Sequence, residues 1–179
     1  MRLEGVAIFV NGTVGVGKTT TIDALSDLLT TMLIPHAVID LDRIRQAWPS
    51  AEGDPFNHRL ELVNLKALAS NFLAAGMTTL VIAGVIEEKT AVAEYEGILG
   101  QWQLFIARLT AKEAVLKKRI EARHIADPVG REWHLQRTVE LEAILDGAKL
   151  DDVLIDTSHQ SPSEVAQQVI EAAHEGTSI

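Results

Sequence analysis

The run Gly12-Thr13-Val14-Gly15-Val16-Gly17-Lys18-Thr19 sets three glycines, a lysine and a hydroxyl at the spacing GxxxxGK[ST]. Residues of these types suit a phosphate chain. Glycines reach backbone conformations closed to other residues and let successive N–H groups converge on an anion. A helix beginning near Lys18 adds its positive N-terminal dipole. Lys18 is placed for the β- and γ-phosphates and the Thr19 hydroxyl for Mg²⁺, with Thr20 closing the run. The chemistry indicated is binding of a nucleoside triphosphate, read as ATP with Mg²⁺.

A second group, Asp40-Leu41-Asp42-Arg43-Ile44-Arg45, follows a short apolar run. Ligands of parallel sheets bind beyond the carboxyl ends of the strands, so these acids should face the same crevice as the glycine loop. A carboxylate there can orient metal-bound water or take a proton from a substrate hydroxyl. Asp40 and Asp42 both qualify, Asp40 also as a metal-side group, and Arg45 is placed to hold an anionic or carbonyl group. The competing expectation is a plain helix start with Asp42 as its N-cap and the arginines in water. The run Leu80-Val81-Ile82-Ala83 ends in Gly84 without an acid, which leaves the magnesium side to Asp40 or Asp42 and argues against motor ATPases and GTPases.

Positive charge collects around Lys117-Lys118-Arg119, Arg123, His124, Arg131 and Arg137. Arg119 and Arg123 stand one turn apart on one helix face. Phosphoryl transfer spreads negative charge over the moving oxygens, so a mobile element carrying an arginine suits it. Arg123 is the residue read this way, whereas Lys117 and Lys118 read as solvated. His58, His124 and His134 receive no role. Trp102 and Trp133 read as packing residues, and Trp48, just after the acidic group, as the tryptophan nearest the chemistry.

These groups must be positioned by alternating strands and helices. Strands are expected at Val6–Val10, Ala37–Ile39, Leu80–Ala83, Leu104–Ala107 and Val153–Ile155, each a short continuous apolar run. Helices are expected from the glycine loop to about Leu33, and over Leu60–Ala75 with Leu60, Val63, Leu68 and Phe72 on the apolar face. Three more follow: Thr110-Ala111-Lys112-Glu113 to Arg123, Glu132 to Leu145, and from Ser161-Pro162-Ser163-Glu164 onward. Gly76 stands where a C′ glycine belongs, and the two Thr/Ser-x-x-Glu runs read as capping boxes. Residues 46–57 and 124–131 break the pattern. The expectation is one α/β domain over residues 1–179, a three-layer sandwich around five parallel strands with a small lid at about 119–137.

The remaining arithmetic narrows the partners. The 179 residues carry 16 Lys+Arg against 25 Asp+Glu, a net charge of −9, and no cysteine. An acidic chain is a poor match for nucleic acid or an anionic membrane, and disulfides and thiolate metal sites are excluded. The six histidines show no zinc spacing. Met1–Gly5 lacks an apolar leader, and no run approaches a membrane span, so a cytoplasmic protein is expected. Oligomeric state is not indicated.

The chain resembles the small P-loop kinases: adenylylsulfate, gluconate and shikimate kinases and chloramphenicol phosphotransferase. Val10-Asn11-Gly12 through Thr20 is similar to their loop, and Asp40-Leu41-Asp42-Arg43-Ile44-Arg45 to the Asp-Gly-Asp-x-x-Arg of adenylylsulfate kinases, with Leu41 replacing the glycine. Leu116–Arg123 followed by Leu135–Leu145 resembles a gluconate kinase lid arm. Ile155-Asp156-Thr157-Ser158 with Ser161–Val165 resembles the adenine-side loop and last helix. The resemblance implies Arg119 and Thr157 beside the adenine and Arg123 or Arg131 beside the transferred phosphate. It does not extend to the substrate side. Gly84-Val85-Ile86-Glu87-Glu88-Lys89 lacks the arginines of adenylylsulfate kinases, and no Gly-His-Phe follows Arg123. The expected activity is ATP- and Mg²⁺-dependent phosphorylation of a small molecule's hydroxyl, with the acceptor chosen by residues 46–63 and 84–98. Lys18, Asp42 and Arg123 or Arg131 would carry the chemistry, and Asp40, Asp42 and Arg45 the acceptor. The alternatives are a nucleotide-binding regulatory protein with slow hydrolysis and, third, a nucleoside or nucleotide kinase.

Overall fold

A computed structural model describes residues 5–176. The Met1–Glu4 part of the N-terminal stretch read above lies outside the described residues.

Five apolar runs become one parallel sheet: β1 (Val6–Asn11), β2 (His36–Asp40), β3 (Thr79–Ala83), β4 (Gln103–Thr110) and β5 (Val153–Asp156), in the order β2-β3-β1-β4-β5. Every residue of β1 is buried, as a central strand covered on both faces requires. Ile8 and Val10 pack to one side with Ile22, Leu25 and Leu29 of α1 (Lys18–Thr31) and Val169 of α7 (Pro162–Gly176). Ala7 and Phe9 pack to the other with Leu65 of α3 (His58–Ala74) and Tyr95 of α4 (Lys89–Leu99). The register brings Asp40, Ala83, Val10 and Ala107 level across four strands. The loops after β1, β2 and β3 therefore open along one edge, on both sides of the point where strand order reverses. Three further helices lie beside that edge: α2 (Leu41–Ile44), α5 (Glu113–Arg123) and α6 (Pro128–Ala148). No helix among the described residues is long and apolar enough to cross a membrane.

Two helix-end readings hold. Ser161 and Glu164 make the capping box of α7, with Ser161 N and Oγ each donating to Glu164 Oε2 at 2.8 Å. Gly76, at φ 85°, closes α3 with the paired bonds Gly76 N→Leu73 O and Met77 N→Phe72 O, both 3.0 Å.

Four readings are corrected. Thr110 does not cap α5; it extends β4 to pair with Asp156 of β5, and Lys112 takes the cap position, its N–H donating to Ser158 Oγ at 2.8 Å. The break before α6 is shorter than 124–131, because Asp127 caps that helix through Gly130 N at 2.9 Å and Pro128 occupies its first turn. On α3 the buried face is Glu61, Leu65 and Ala69, while Leu60 and Val63 face solvent. Finally, α4 fills the segment in which no element was expected.

Candidate active site

The glycine loop is built by β1 and α1 and held by neighbours that leave it little freedom. Gly12 has φ 141°, and a Cβ there would sit 2.6 Å from the Leu109 carbonyl oxygen, so only glycine lets the loop lie against β4. Asn11, fully buried, accepts from Gly12 N at 2.9 Å and from Ile86 N at 3.1 Å, and donates to Ile86 O at 3.1 Å. One side chain thus ties the glycine loop to the loop after β3. Asn11→Ala orphans three buried backbone groups and is expected to destabilise the fold by about 2–4 kcal/mol, read as a lowered midpoint in urea unfolding.

Opposite the loop, α5 and α6 form a second wall. Thr13 Oγ1 donates to Thr138 O of α6 at 3.2 Å. Arg119 of α5 donates to Thr157 Oγ1 at 3.0 Å and Thr157 O at 2.8 Å, with a longer contact to Val16 O at 3.3 Å. Between these walls lies a cavity of about 710 Å³ that reaches Gln160, Pro162 and Val165 at one end and Asp40 and Asp42 at the other.

Lys18 is half-buried in this cavity, with its ammonium turned back on the loop, donating to Gly12 O at 2.8 Å and Thr13 O at 3.1 Å. Desolvation lowers its pKa to about 8, against the opposing pull of Asp42 and Asp40. A cation already desolvated and lodged in the glycine loop fits a polyanion. A phosphate bound there would raise that pKa, so nucleotide binding above pH 8 would return a proton to Lys18. ATP affinity is expected to be flat below about pH 7 and to fall up to roughly tenfold per pH unit above about 8. Calorimetry in buffers of different ionisation enthalpy reads the proton uptake directly. Lys18→Arg should remove that dependence, because a guanidinium does not titrate in this range, and Lys18→Ala should weaken ATP binding at least about tenfold.

The acids divide between two positions. Asp40, at the end of β2, is the N-cap of α2, accepting from Asp42 N at 3.0 Å. The N-cap is therefore Asp40 and not Asp42. Asp40 Oδ2 also accepts from the Thr19 hydroxyl at 3.1 Å. A hydroxyl and a carboxylate oxygen meeting beside a phosphate loop make a hard-oxygen donor set that fits Mg²⁺. No cluster of three or more acids or imidazoles that could bind a metal by itself occurs among the described residues, so phosphate oxygens and water would complete the shell. Asp42 has its side chain 65% exposed and ion-paired to Arg45. Arg45 also binds Glu61 Oε2 at 3.1 Å, and Glu61 Oε1 accepts from the Tyr95 hydroxyl at 2.6 Å. Glu61 is 2% exposed, so Arg45 is anchored to a buried carboxylate while it fixes Asp42. Burial and Glu61 together push the Tyr95 hydroxyl far above its usual pKa, keeping it a neutral donor.

Beyond Asp42 lies a second cavity of about 680 Å³, walled by α2, α3, α4, α6 and the loop after β3. Gly84 forms part of it; a Cβ there would come within 2.5 Å of Leu41 Cδ1 and 2.8 Å of Phe9 Cζ, so glycine is what lets α2 approach β3. Arg137 of α6 reaches across to Glu87. The two cavities meet at Val14, Lys18, Asp42 and His134, which line both.

Most residues singled out from the sequence converge here. Thr13 to Thr20, Asp40, Asp42, Arg119, Arg123 and Thr157 line the first cavity, and Arg45 the second; Gly12 lies behind the loop. Arg131 lines neither cavity. Trp48 is 93% exposed and also lines neither, Trp102 is buried in the core, and Trp133, expected to pack, is 49% exposed in the lining of the second cavity. Lys117 and Lys118 are exposed. Sequence reasoning gives no individual role to Asn11, Arg137 or His134, and reaches Glu61, Glu87 and Tyr95 only as members of segments 46–63 and 84–98. For Glu61 a signal existed: it stands four residues before Leu65 and eight before Ala69, an acid on the buried stripe of a helix.

A family model described as an AAA domain matches residues 8–142. No curated protein matches the chain in sequence. Among solved structures, the fold is shared with shikimate kinase from Acinetobacter baumannii in complex with shikimate, at 19% identity, covering 98% of this chain and 97% of that one, TM-score 0.68. The Deinococcus radiodurans tunicamycin resistance protein is similar at 23% identity, with 97% of each chain covered and TM-score 0.68. The APS kinase of Mycobacterium tuberculosis, in complex with AMPPNP and APS, is similar at 20% identity over 96% of this chain and 98% of that one, TM-score 0.60. The shared architecture is a five-stranded parallel sheet flanked by helices, with a P-loop between β1 and α1.

Proposed function

The chain belongs to the AAA domain family, and from that premise we propose that it is an ATP- and Mg²⁺-dependent phosphotransferase acting on a hydroxyl of a small molecule. The observation that carries this reading is the meeting of two cavities at Lys18 and Asp42. A protein that only bound or slowly hydrolysed a nucleotide would have no use for a second cavity of small-molecule size opening onto the phosphate loop.

In this reading the nucleotide occupies the first cavity, with its base toward Arg119, Thr157 and Pro162 and its phosphates on residues 12–20. Lys18 holds the β- and γ-phosphates. Thr19 and Asp40 would hold Mg²⁺, which neutralises phosphate charge when bound. The acceptor lies in the second cavity. Asp42, held by Arg45, accepts the hydroxyl proton and aligns the oxygen toward the γ-phosphoryl group. Arg123, which lines the nucleotide cavity, meets the charge of the moving phosphoryl group, a role for which Arg131 is worse placed. Arg45, through Glu61 and Tyr95, acts as a positioning residue.

An acceptor-dependent ADP-release screen over sugars, aminoglycosides, phenicols, nucleosides and shikimate-like acids tests the proposal. At least one acceptor should raise ADP release well above the rate with water. Uniform release at the water rate, with tight ATP binding, would instead favour a nucleotide-binding regulatory protein.

A further inference from the structure

The second cavity carries information about the acceptor's charge, because its cations are already spoken for. Arg45 is paired with Asp42 and with the buried Glu61. Arg137 is paired with Glu87 and, at 2.9 Å, with Glu140. His58 lies 3.5 Å from Glu61 and 3.5 Å from Glu94. Lys18 belongs to the nucleotide phosphates, and His134, its pKa lowered by burial and by the neighbouring His124 and Arg123, stays a neutral imidazole. With Lys18 so engaged, the lining sets four carboxylates (Asp42, Glu61, Glu87, Glu88) against two guanidiniums. An acidic acceptor would have to displace a carboxylate from its arginine and leave that carboxylate, buried in the case of Glu61, without its guanidinium. An acceptor rich in O–H or N–H donors meets no such obstacle and finds acceptor oxygens on several sides.

Apart from His134 and the Tyr95 hydroxyl, the rest of the lining is apolar. Phe56 is 60% exposed and Trp133 49% exposed, large aromatic faces that the core does not use, and Ile144 and the buried Leu41 and Leu141 add to the apolar lining. Such faces take an aromatic or aliphatic body, and their electron-rich rings also favour a cation.

We propose that the second cavity is the binding site for an uncharged or cationic alcohol with an aromatic or apolar body, and that it rejects carboxylate, sulfate and phosphate acceptors. This assignment rests on the phosphotransferase reading for its use of Asp42, but its binding consequences are separately measurable.

The test is calorimetric titration of the protein, loaded with AMPPNP and Mg²⁺, with uncharged uridine and chloramphenicol and the cationic aryl amino alcohol propranolol, against anionic shikimate and gluconate. Methyl shikimate serves as the size-matched uncharged control. At least one uncharged or cationic compound should bind at least about tenfold more tightly than either acid, and methyl shikimate should exceed shikimate. Trp133→Ala should weaken the tight binder at least about fivefold while leaving AMPPNP affinity unchanged. Glu87→Gln with Glu140→Gln, which frees Arg137, should improve gluconate binding and weaken propranolol binding. The assignment is overturned if an acid binds more tightly than every uncharged or cationic compound, if none of these binds at millimolar concentration, or if freeing Arg137 leaves gluconate affinity unchanged. Tight binding of an uncharged compound without ADP release from ATP would contradict the phosphotransferase and uphold the charge class. Efficient phosphorylation of shikimate or gluconate would do the reverse.

Discussion

Asp42→Asn is expected to leave ATP affinity within about twofold and to reduce acceptor-dependent kcat by at least about a hundredfold. The substitution keeps the shape of the side chain and removes its charge. A carboxylate facing the phosphate loop adds little to ground-state binding of ATP, because like charges repel where no cation intervenes. Its contribution arises when an acceptor hydroxyl must be aligned and lose its proton, an effect worth about 10²–10⁴ in rate. Asp42 is suited to this step because it lines both cavities and is fixed by Arg45. Asp40, bonded to Thr19 and to the backbone of Asp42, lies on the metal side, so Asp40→Asn should change the Mg²⁺ dependence more than the acceptor step. Steady-state kinetics with calorimetric ATP titration separates the two. A normal kcat for Asp42→Asn with a known acceptor would remove Asp42 from the proton transfer.

Arg123→Ala is expected to lower kcat by about 10²–10³ with little change in KM for either substrate, the pattern of a group that acts on the transition state. Arg123 ends α5, lines the nucleotide cavity and lies near enough to Lys18 to oppose its protonation. The negative charge that develops on the moving phosphoryl oxygens is the charge it would meet. Arg123→Lys should recover part of the loss through charge alone, without the guanidinium's fork of donors. An unaffected kcat in Arg123→Ala, together with a large loss in Arg131→Ala, would transfer the role to Arg131 and imply that the first turn of α6 closes over the site.

The nucleotide half of the site was legible in the sequence because its residues are contiguous. Eight neighbouring positions dictate the loop, and the apolar run before it and the helical spacing after it supply its setting. The five strands were legible for a related reason, since strands covered on both faces show as unbroken apolar runs. What failed to show was structure assembled across distance. Helix α4 is a different case, because Ala91, Val92, Tyr95, Ile98 and Leu99 pack on the core at helical spacing, a period present in the sequence that the expected elements leave out. The end of α1 has the same chain reversal as that of α3, but Leu33 occupies the left-handed position at φ 58°, where no glycine marks it. Asp127-Pro128-Val129-Gly130 has the composition of a break, but an Asp cap followed by Pro in the first turn is also how a helix begins. The acceptor cavity draws its walls from four helices and a loop. Its decisive pairs, Arg45 with Glu61 and Arg137 with Glu87, join residues 16 and 50 positions apart. No local spacing encodes such pairs.

The most direct test of the account is transfer of label from [γ-³²P]ATP to a non-anionic alcohol that binds the second cavity, comparing the unmodified protein with Asp42→Asn. The account predicts a labelled acceptor formed in step with ADP by the unmodified protein, and at least about a hundredfold less label with Asp42→Asn at equal ATP occupancy. Label appearing only as inorganic phosphate, at one rate for both proteins whatever alcohol is present, would contradict it.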